Sequence, residues 1–311
     1  PVLDALSARL SAGPVIVCPA FPENGRSVYQ GHLFVADRLL NECGMQDHPL
    51  TPMTDPDLRR VLGAQSNREI GHVPSLTVGQ GRAAIADALT GDRHLITDAI
   101  TDADLIEIGA AARDLPLLCG GSGIALGLPA NHGLTPRTPG WTGIRGPGVV
   151  LSGSCSRATR AQVAEFTAGA PSLQIDAETA MQDGYDPAQL AEWALAQSQP
   201  GLIYSSADPD VVAAAQSRFG AGQAAAAIEG LFEQLASELA RRGVRRFVVA
   251  GGETSGSVVR GLGARQLKIG PRAAPGVPLV STGELALALK SGNFGGQHFF
   301  QETLTAMEKA A

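Results

Sequence analysis

The stretch Phe247-Val-Val-Ala-Gly-Gly-Glu-Thr-Ser-Gly-Ser257 decides the fold, because an apolar strand runs directly into two glycines and a Thr-Ser-Gly turn. A second polar glycine run, Ser291-Gly-Asn-Phe-Gly-Gly296, follows later in the chain. Glycine adopts positive φ and lets the backbone approach a ligand, and amides at a helix N-terminus point toward anions. The two runs together favour a site that cradles phosphate groups. Judged by spacing alone, an ordinary glycine-rich turn between a strand and a helix is the alternative.

The known nucleotide fingerprints are missing from both runs. Neither ends in the Gly-Lys-Ser/Thr of a Walker A loop, and neither has the G-x-G-x-x-G spacing of a dinucleotide site. A dinucleotide oxidoreductase is therefore disfavoured.

Composition places the chain among α/β enzymes. Its 311 residues allow two domains, and 44% hydrophobic with 17% charged residues, 38 glycines and few aromatics argue against disorder. The formal net charge is −6 and the basic residues are scattered, so neither nucleic acid nor an anionic membrane is an expected partner.

Cysteine and histidine usage predicts no metal site held by the protein. The four cysteines form no Cys-x-x-Cys pair, and the histidines share no metal-ligand spacing. A reducing cytoplasm fits this cysteine usage. No run of about 18 apolar residues and no leader peptide is visible. The chain begins within a predicted helix, Val2 to Leu10, as expected for a piece of a longer protein.

Short apolar runs alternate with helical patterns, which is typical of βα units and a parallel sheet. In the first half we predict strands at Pro14 to Phe21, Ser27 to Tyr29, His32 to Val35, His94 to Ala99 and Pro116 to Cys119. Helices are predicted there at Asp55 to Ala64, Val78 to Leu89 and Asp102 to Arg113.

Gly, Pro, Asn and Thr dominate residues 127–147 and predict the domain boundary. A second series follows, with strands at Gly148 to Ser152, Ser172 to Asp176, Leu202 to Ser205 and Arg246 to Ala250, and helices at Arg157 to Thr167, Pro187 to Gln197 and Gly222 to Arg242. The predicted architecture is α/β, with two domains at residues 1–130 and 145–311, each a mostly parallel sheet flanked by helices, and an interdomain cleft.

Candidate substrate-binding residues lie in the first domain. Polar groups follow a buried strand in Cys18-Pro-Ala-Phe-Pro-Glu-Asn-Gly-Arg26, where Arg26 can grip a carboxylate and Asn24 can bind hydroxyls; a turn with surface charges is the alternative. His32 is a weaker candidate, since a lone histidine is more often structural. Asp98 comes directly after the apolar run Leu95-Ile-Thr97, and it is either a metal-binding or base carboxylate or a cap of the next helix.

Candidate nucleotide-binding residues lie in the second domain. Ser154 and Ser156 follow a predicted strand, where they cap the next helix, contact the nucleotide, or do both. Glu253 would repel phosphate unless it binds magnesium through water or caps the turn. Lys290 either offsets phosphate charge or lies on the surface.

Five motifs taken together resemble the four-carbon acid sugar kinases, and within them the 3-oxo-tetronate kinases. They are Val17-Cys-Pro-Ala-Phe-Pro-Glu-Asn-Gly-Arg26, Tyr29-Gln-Gly-His-Leu-Phe-Val35, His48-Pro-Leu-Thr-Pro-Met-Thr-Asp55, Gly251-Gly-Glu-Thr-Ser-Gly256 and Lys290-Ser-Gly-Asn-Phe-Gly295. The likeness runs in order along essentially the whole chain.

This resemblance implies an ATP- and Mg²⁺-dependent kinase that phosphorylates the terminal hydroxyl of a four-carbon sugar acid. It implies an N-terminal sugar-acid domain and a C-terminal nucleotide domain. The substrate candidates are then Asn24, Arg26, His32 and Asp98. The cofactor candidates are Ser154, Ser156, Gly252, Glu253, Thr254, Ser255, Gly256 and Gly295.

One departure from the family concerns its Asp-Asp-x-Thr-Gly motif, which this chain lacks, so the first domain is expected to lack its N-terminal part. The catalytic base is therefore left unassigned. A catalytically silent sensor that binds nucleotide or sugar acid is the alternative function. Substrate stereochemistry and oligomeric state, a homo-oligomer included, stay open.

Overall fold

The structure, a computed structural model, describes residues 1–47 and 51–310. The chain divides into two compact units, Pro1–Arg137 and Thr138–Ala311, and each has its own hydrophobic core. His48, Pro49 and Leu50, which open one of the quoted motifs, lie outside the described residues.

The first unit is built on a parallel sheet of four strands in the order β5-β6-β1-β7, with a small antiparallel sheet of β2, β3 and β4 beside it. Its strands are β1 Val15–Cys18, β2 Arg26–Tyr29, β3 His32–Val35, β4 Arg38–Leu39, β5 Glu69–Val73, β6 Arg93–Thr97 and β7 Leu118–Gly120. Its helices are α1 Val2–Arg9, α2 Leu58–Gly63, α3 Ser75–Val78, α4 Arg82–Ala88 and α5 Asp102–Ala111.

β1 lies in the middle of this sheet and is buried along its whole length. An unbroken apolar run is what a parallel strand covered on both faces requires. Ile16 lies opposite Leu95 of β6 and Leu118 of β7, and it packs with Ile85 and Ile108 from the helices.

The predicted helix Val78 to Leu89 is wrong, since the structure has two helices in this region. α3 ends at Val78, and α4 begins after Gly81, whose φ is 89°. Glycine adopts this left-handed conformation at little cost, so the chain turns here instead of continuing one helix. β5, which precedes α3, was not predicted.

The second unit is built on a seven-stranded sheet in the order β12-β13-β14-β11-β8-β10-β9. Its strands are β8 Gly148–Ser152, β9 Ser172–Gln174, β10 Gly201–Tyr204, β11 Arg246–Ala250, β12 Lys268–Ala274, β13 Val277–Thr282 and β14 Leu285–Lys290. Its helices are α6 Arg157–Thr167, α7 Ala177–Met181, α8 Pro187–Leu195, α9 Pro209–Phe219, α10 Ala221–Arg241, α11 Gly252–Gly261 and α12 Phe299–Glu308.

β9, β10, β8, β11 and β14 are parallel, whereas β12 and β13 join antiparallel at one edge. α10 packs its apolar face on the sheet: Phe232, Leu235 and Leu239 lie in one core with Leu151 and Val249. The prediction of an α/β fold with mostly parallel sheets flanked by helices is confirmed. β12, β13 and β14 were not predicted.

The predicted loop after β11 is also wrong, because α11 begins at Gly252. Val258 of this helix is completely buried in the core, and Gly261 lies so close to the main chain of Glu233 in α10 that a Cβ would overlap its carbonyl oxygen. Tertiary packing therefore stabilises a helix that its glycine and serine content disfavours.

No helix in the part of the chain that the structure describes is both long and apolar enough to cross a membrane.

Candidate functional site

Three neighbouring parallel strands of the second unit end side by side. Ala250 at the end of β11 aligns with Ser152 of β8 on one side and with Lys290 of β14 on the other. The amide of Gly153 donates to the carbonyl of Ala250 at 3.0 Å, and the amide of Gly251 donates to the carbonyl of Lys290 at 2.9 Å. The segments that follow these strands, 153–156, 251–256 and 291–296, therefore start next to one another, at the edge where open parallel sheets bind ligands.

The glycines at this edge have two different reasons to be glycine. A Cβ on Gly153 would overlap the hydroxyl of Thr254, and Gly251 combines a φ of 127° with a Cβ position only 2.8 Å from that hydroxyl. Gly252 differs, since a Cβ there would meet nothing within 4 Å. Packing within the protein explains the first two glycines, and open space that a ligand can occupy lies beside Gly252.

The first turn of α11 carries most of the predicted nucleotide contacts. Glu253 is exposed, Thr254 is buried under Gly153, and Ser255 donates its hydroxyl to the carbonyl of Gly251 at 2.6 Å. Gly256 lies one residue further along the helix. The N-cap residue of α11 is Gly251, which has no side chain to cap the helix, so the leading amides and the helix dipole can both act on an anion.

Ser156 does cap the next helix, as one of its two predicted roles requires. Its hydroxyl accepts from the amide of Thr159 at 3.2 Å at the start of α6. The same hydroxyl donates to the carbonyl of Gly292 at 2.6 Å, and the hydroxyl of Ser154 accepts from the amide of Ser156 at 3.3 Å. Ser156 thus connects the segment after β8 to the segment after β14.

The carbonyl oxygen of Gly292 accepts from three donors. Besides Ser156, the hydroxyl of Thr159 donates at 2.7 Å and the ammonium of Lys290 at 3.0 Å. Lys290 also donates to the hydroxyl of Thr159 at 2.8 Å. Three donors on one carbonyl hold the segment 291–296 against the start of α6.

Lys290 is buried, not on the surface. Its hydrogen-bond acceptors among the described residues are a hydroxyl and two carbonyl oxygens, and none of them is a carboxylate. Burial lowers the pKa of its ammonium to about 7. Thr159 and Gln162 were not predicted for this site, whereas Gly292 lies in one of the two predicted glycine runs. The Ser-x-x-Thr spacing at the start of α6 was the one available signal, for a helix cap.

Gly295 has a φ of 79°, and a Cβ on it would lie 2.6 Å from the ring of Phe299. The carboxamide of Gln162, in the second turn of α6, donates its Nε2 to the carbonyls of residues 294–296. The segment is thus held at both of its ends by side chains of α6.

In the first unit, the carboxylate of Asp98 organises the end of β6. It is completely buried and accepts from the amides of Gln30 at 2.7 Å, Gly31 at 2.9 Å and Ser75 at 3.0 Å, while Nε2 of His72 lies 2.9 Å from its Oδ1. Asp98 does not cap the next helix, α5, because Thr101 does so within a capping box.

His32 follows the turn at Gln30 and Gly31, whose two amides donate to the carboxylate of Asp98. Its Nδ1 is 2.7 Å from the carbonyl oxygen of Gln30, and its Nε2 is 3.9 Å from Asp57. Arg59 holds Asp57 with two hydrogen bonds of 2.9 Å and lowers the pKa of that carboxyl to about 2. Asp57 and Arg59 were not predicted.

Asn24 and Arg26 lie at the other end of the same hairpin. Arg26 pairs with Val35, whereas His32 pairs with Tyr29, three residues along β2, which is about 10 Å for a strand. Burial lowers the pKa of the Arg26 guanidinium, and Nδ2 of Asn24 is buried with no hydrogen-bond partner among the described residues. The structure therefore groups the four substrate candidates in two pairs, Asn24 with Arg26 and His32 with Asp98.

Two glycines, one at the end of β7 and one just after it, pack against the backbone at the end of β1 and just after it. A Cβ on Gly120 would overlap the carbonyl of Cys18, and a Cβ on Gly123 would overlap that of Ala20. This close packing gives the two glycines a structural reason.

Within residues 1–47 and 51–310, no three His, Cys, Asp or Glu side chains are grouped so that they could hold a metal ion.

Protein-family models match both halves of the chain. A model described as a sugar-binding N-terminal domain matches residues 1–128. A model described as a nucleotide-binding C-terminal domain matches residues 149–300.

Similar curated proteins carry the name 3-oxo-tetronate kinase. The chain is 50% identical to one from Cupriavidus necator, with 98% of this chain and 74% of the relative aligned. It is 46% identical to one from Burkholderia multivorans, with 100% of this chain and 76% of the relative aligned. A crystal structure of a protein from Salmonella typhimurium LT2 superimposes with a TM-score of 0.75 at 42% identity, over 97% of this chain and 75% of that one.

Proposed function

The chain belongs to the four-carbon acid sugar kinase family, and on that premise we propose that it transfers the terminal phosphoryl group of ATP to the terminal hydroxyl of a four-carbon sugar acid such as a 3-oxo-tetronate. The family resemblance predicted from the sequence is confirmed. The comparisons do not favour the alternative of a silent sensor.

The observation that carries the proposal is the meeting of the segments after β8, β11 and β14. The N-terminus of α11, the open space beside Gly252 and the buried Lys290 therefore lie together at the same edge of the sheet. Oriented amides and a helix dipole suit a polyphosphate, because they stabilise negative charge without bringing in a counter-charge. ATP therefore fits the residues present, and we assign the second unit to nucleotide binding.

We assign Mg²⁺ to the nucleotide and not to a cage of protein ligands. Magnesium in kinases is commonly bound through one or two carboxylates together with phosphate oxygens and water. Glu253, exposed in the first turn of α11, is the carboxylate we propose for a water-mediated contact. This role also explains why an acidic side chain stands beside a phosphate site.

We assign sugar-acid binding to the first unit. The half-buried guanidinium of Arg26 is proposed to hold the substrate carboxylate, and Asn24, whose Nδ2 has no partner among the described residues, to bind a hydroxyl. Asp98 is surrounded by four donors, so we propose that it acts by ordering the turn that carries His32.

Phosphoryl transfer needs alignment of the two substrates and neutralisation of charge more than covalent participation of the protein. The amides at the start of α11 would hold phosphate oxygens, and Arg26 would fix the acid end of the sugar. Mg²⁺ bound with the nucleotide would supply neutralisation of the phosphate charge. No residue of the chain is assigned as the base that accepts the hydroxyl proton.

The test is a coupled assay of ADP release with ATP, Mg²⁺ and a panel of four-carbon sugar acids that includes 3-oxo-tetronates. We expect ADP release that depends on the acid, with a product that carries phosphate on its terminal carbon by ³¹P NMR. Nucleotide binding without turnover of any acid in the panel would favour the silent sensor instead.

A further inference from the structure

Gln162 is buried in α6, with 1% of its surface exposed, and has an unusual set of partners. Its side-chain nitrogen Nε2 donates to three consecutive main-chain carbonyls, those of Phe294 and Gly295 at 3.0 Å and that of Gly296 at 2.9 Å. A single carboxamide therefore makes three peptide units point their oxygens toward the same side.

The amides of these peptide units must point the other way. In a trans peptide the N–H is directed opposite to the C=O, so the N–H groups of Gly295, Gly296 and Gln297 lie on the face of the segment away from Gln162. Within the part of the chain that the structure describes, these three amides donate to no protein acceptor. The φ of 79° at Gly295 is what lets successive amides converge in this way.

The other end of the segment is held from the same helix. The carbonyl of Gly292 accepts from the hydroxyls of Ser156 and Thr159 and from the ammonium of Lys290. The segment 292–297 is thus attached to α6 through its oxygens at both ends, which leaves its nitrogens available to a ligand.

We propose that Gln162 is a positioning residue that turns the amides of Gly295, Gly296 and Gln297 into a concave site for phosphate oxygens of the bound nucleotide. Successive main-chain amides that converge on one point bind anions in this manner. The inference rests on the proposed function, since it assigns the phosphates of ATP as the ligand, and it extends that function to residues that do not themselves touch the nucleotide.

The other atom of the carboxamide supports a role for Gln162 that goes beyond filling space. Its Oε1 is buried and has no hydrogen-bond partner among the described residues. A buried acceptor without a donor is unfavourable, so an apolar side chain of similar length would suit the interior better. What a glutamine offers at this position is therefore its Nε2 donor, which bonds to the carbonyls of residues 294–296.

The test compares Gln162→Met, which keeps the side-chain length and removes the donor, with Gln197→Met as the matched control. Gln197 is partly buried and also donates its Nε2 to a main-chain carbonyl, that of Trp193 in α8 at 2.8 Å. Gln162→Glu is a second variant, which keeps the shape and presents only acceptors. The affinity for ADP is measured by calorimetry, and that for adenosine by competition against ADP.

We expect the Kd for ADP to rise at least tenfold in both Gln162 variants, while the Kd for adenosine changes less than twofold and the control behaves as the parent. In a turnover assay the KM for ATP should rise by a similar factor with the KM for the sugar acid unchanged.

The inference would be overturned if the Gln162 variants lost equal affinity for ADP and for adenosine, or if their affinity for ADP were unchanged. Failure of both variants to fold would overturn it too, because Gln162 would then serve the fold and not the phosphate site. A chain that shows the expected ADP pattern but phosphorylates no four-carbon acid would sink the proposed function and leave this inference standing.

Discussion

The ammonium of Lys290 donates a hydrogen bond of 2.8 Å to the hydroxyl of Thr159, across 131 positions of sequence, and both side chains are buried. The pair joins the last residue of β14 to the first turn of α6. It places a titratable cation beneath a segment that we assign to phosphate binding.

Replacing Lys290 with Met should change how stability depends on pH. The pKa of the Lys290 ammonium is about 7 in the folded protein and 10.5 in its ordinary state. At a pH between these two values, Lys290 is protonated in the unfolded chain and deprotonated in the folded one. Stability must then rise with pH in this window, by up to about 1.4 kcal/mol per pH unit. From pH 7.5 to 9.0 the parent should gain roughly 2 kcal/mol relative to Lys290→Met in urea unfolding.

The quantity to compare is the difference in unfolding free energy between the parent and Lys290→Met at each pH. Burial raises the pKa of Cys18, Cys119 and Cys155, which gives an opposite slope at high pH in both proteins and cancels in the comparison. Parallel stability curves for the parent and the variant would contradict the prediction.

Alanine at Gly252 and at Gly153 should have opposite consequences. At Gly252 the new Cβ has open space on the protein side, so stability should stay equal or rise by up to about 1 kcal/mol, while the KM for ATP rises at least tenfold. At Gly153 the Cβ overlaps the hydroxyl of Thr254, so the melting temperature should fall. Thermal melts and ATP titrations of both variants decide this, and an unchanged ATP KM in Gly252→Ala would remove Gly252 from the site.

Changing Asp98 to Asn should destabilise the first unit by about 2–4 kcal/mol. The NH₂ of the new side chain would face N–H groups that now donate to the carboxylate, and two donors cannot form a hydrogen bond. The four groups that Asp98 now accepts from are buried or half-buried and cannot all find water. Asp92→Asn is the control, since Asp92 is 70% exposed in its pair with Arg68 and should cost less than about 1 kcal/mol. Urea unfolding measures both, and equal effects would contradict the buried role of Asp98.

Arg26→Ala should weaken binding of the sugar acid at least tenfold and leave the KM for ATP within twofold, because the lost guanidinium is assigned to the substrate carboxylate. Arg38→Ala is a matched control. Arg38 pairs with the same residue, Val35, from the opposite side of β3, and is exposed. Similar losses for ATP and the acid, or an equal effect in Arg38→Ala, would count against the assignment.

Sequence patterns were sufficient for the elements whose signal is local. The hairpin of β2 and β3 follows from two short apolar runs around Gln30 and Gly31, and β11 from an apolar run that is completely buried. α11 could not be predicted in this way, because its composition favours a turn and only its packing on α10 makes it helical.

The same division holds within the candidate site. The glycine runs and Ser156 carry recognisable signals, and the prediction of Gly252, Ser255 and Gly295 as nucleotide contacts stays a prediction. Gln162 and Thr159 look like ordinary polar residues of a surface helix. Their burial, and their hydrogen bonds to residues 292–296, exist only once β14 lies beside β11.

The sequence by itself determined the α/β class, the family and the elements with a strong local signal, such as β1, β8 and β11, because periodicity, glycine placement and ordered motifs are local properties of the chain. The tertiary structure alone decided the order β14-β11-β8, and with it the meeting of three distant segments at one edge and the two-pair grouping of Asn24, Arg26, His32 and Asp98. The physical reason is that pairing between parallel strands joins residues far apart in the chain, and no local pattern specifies which strand a neighbour will be.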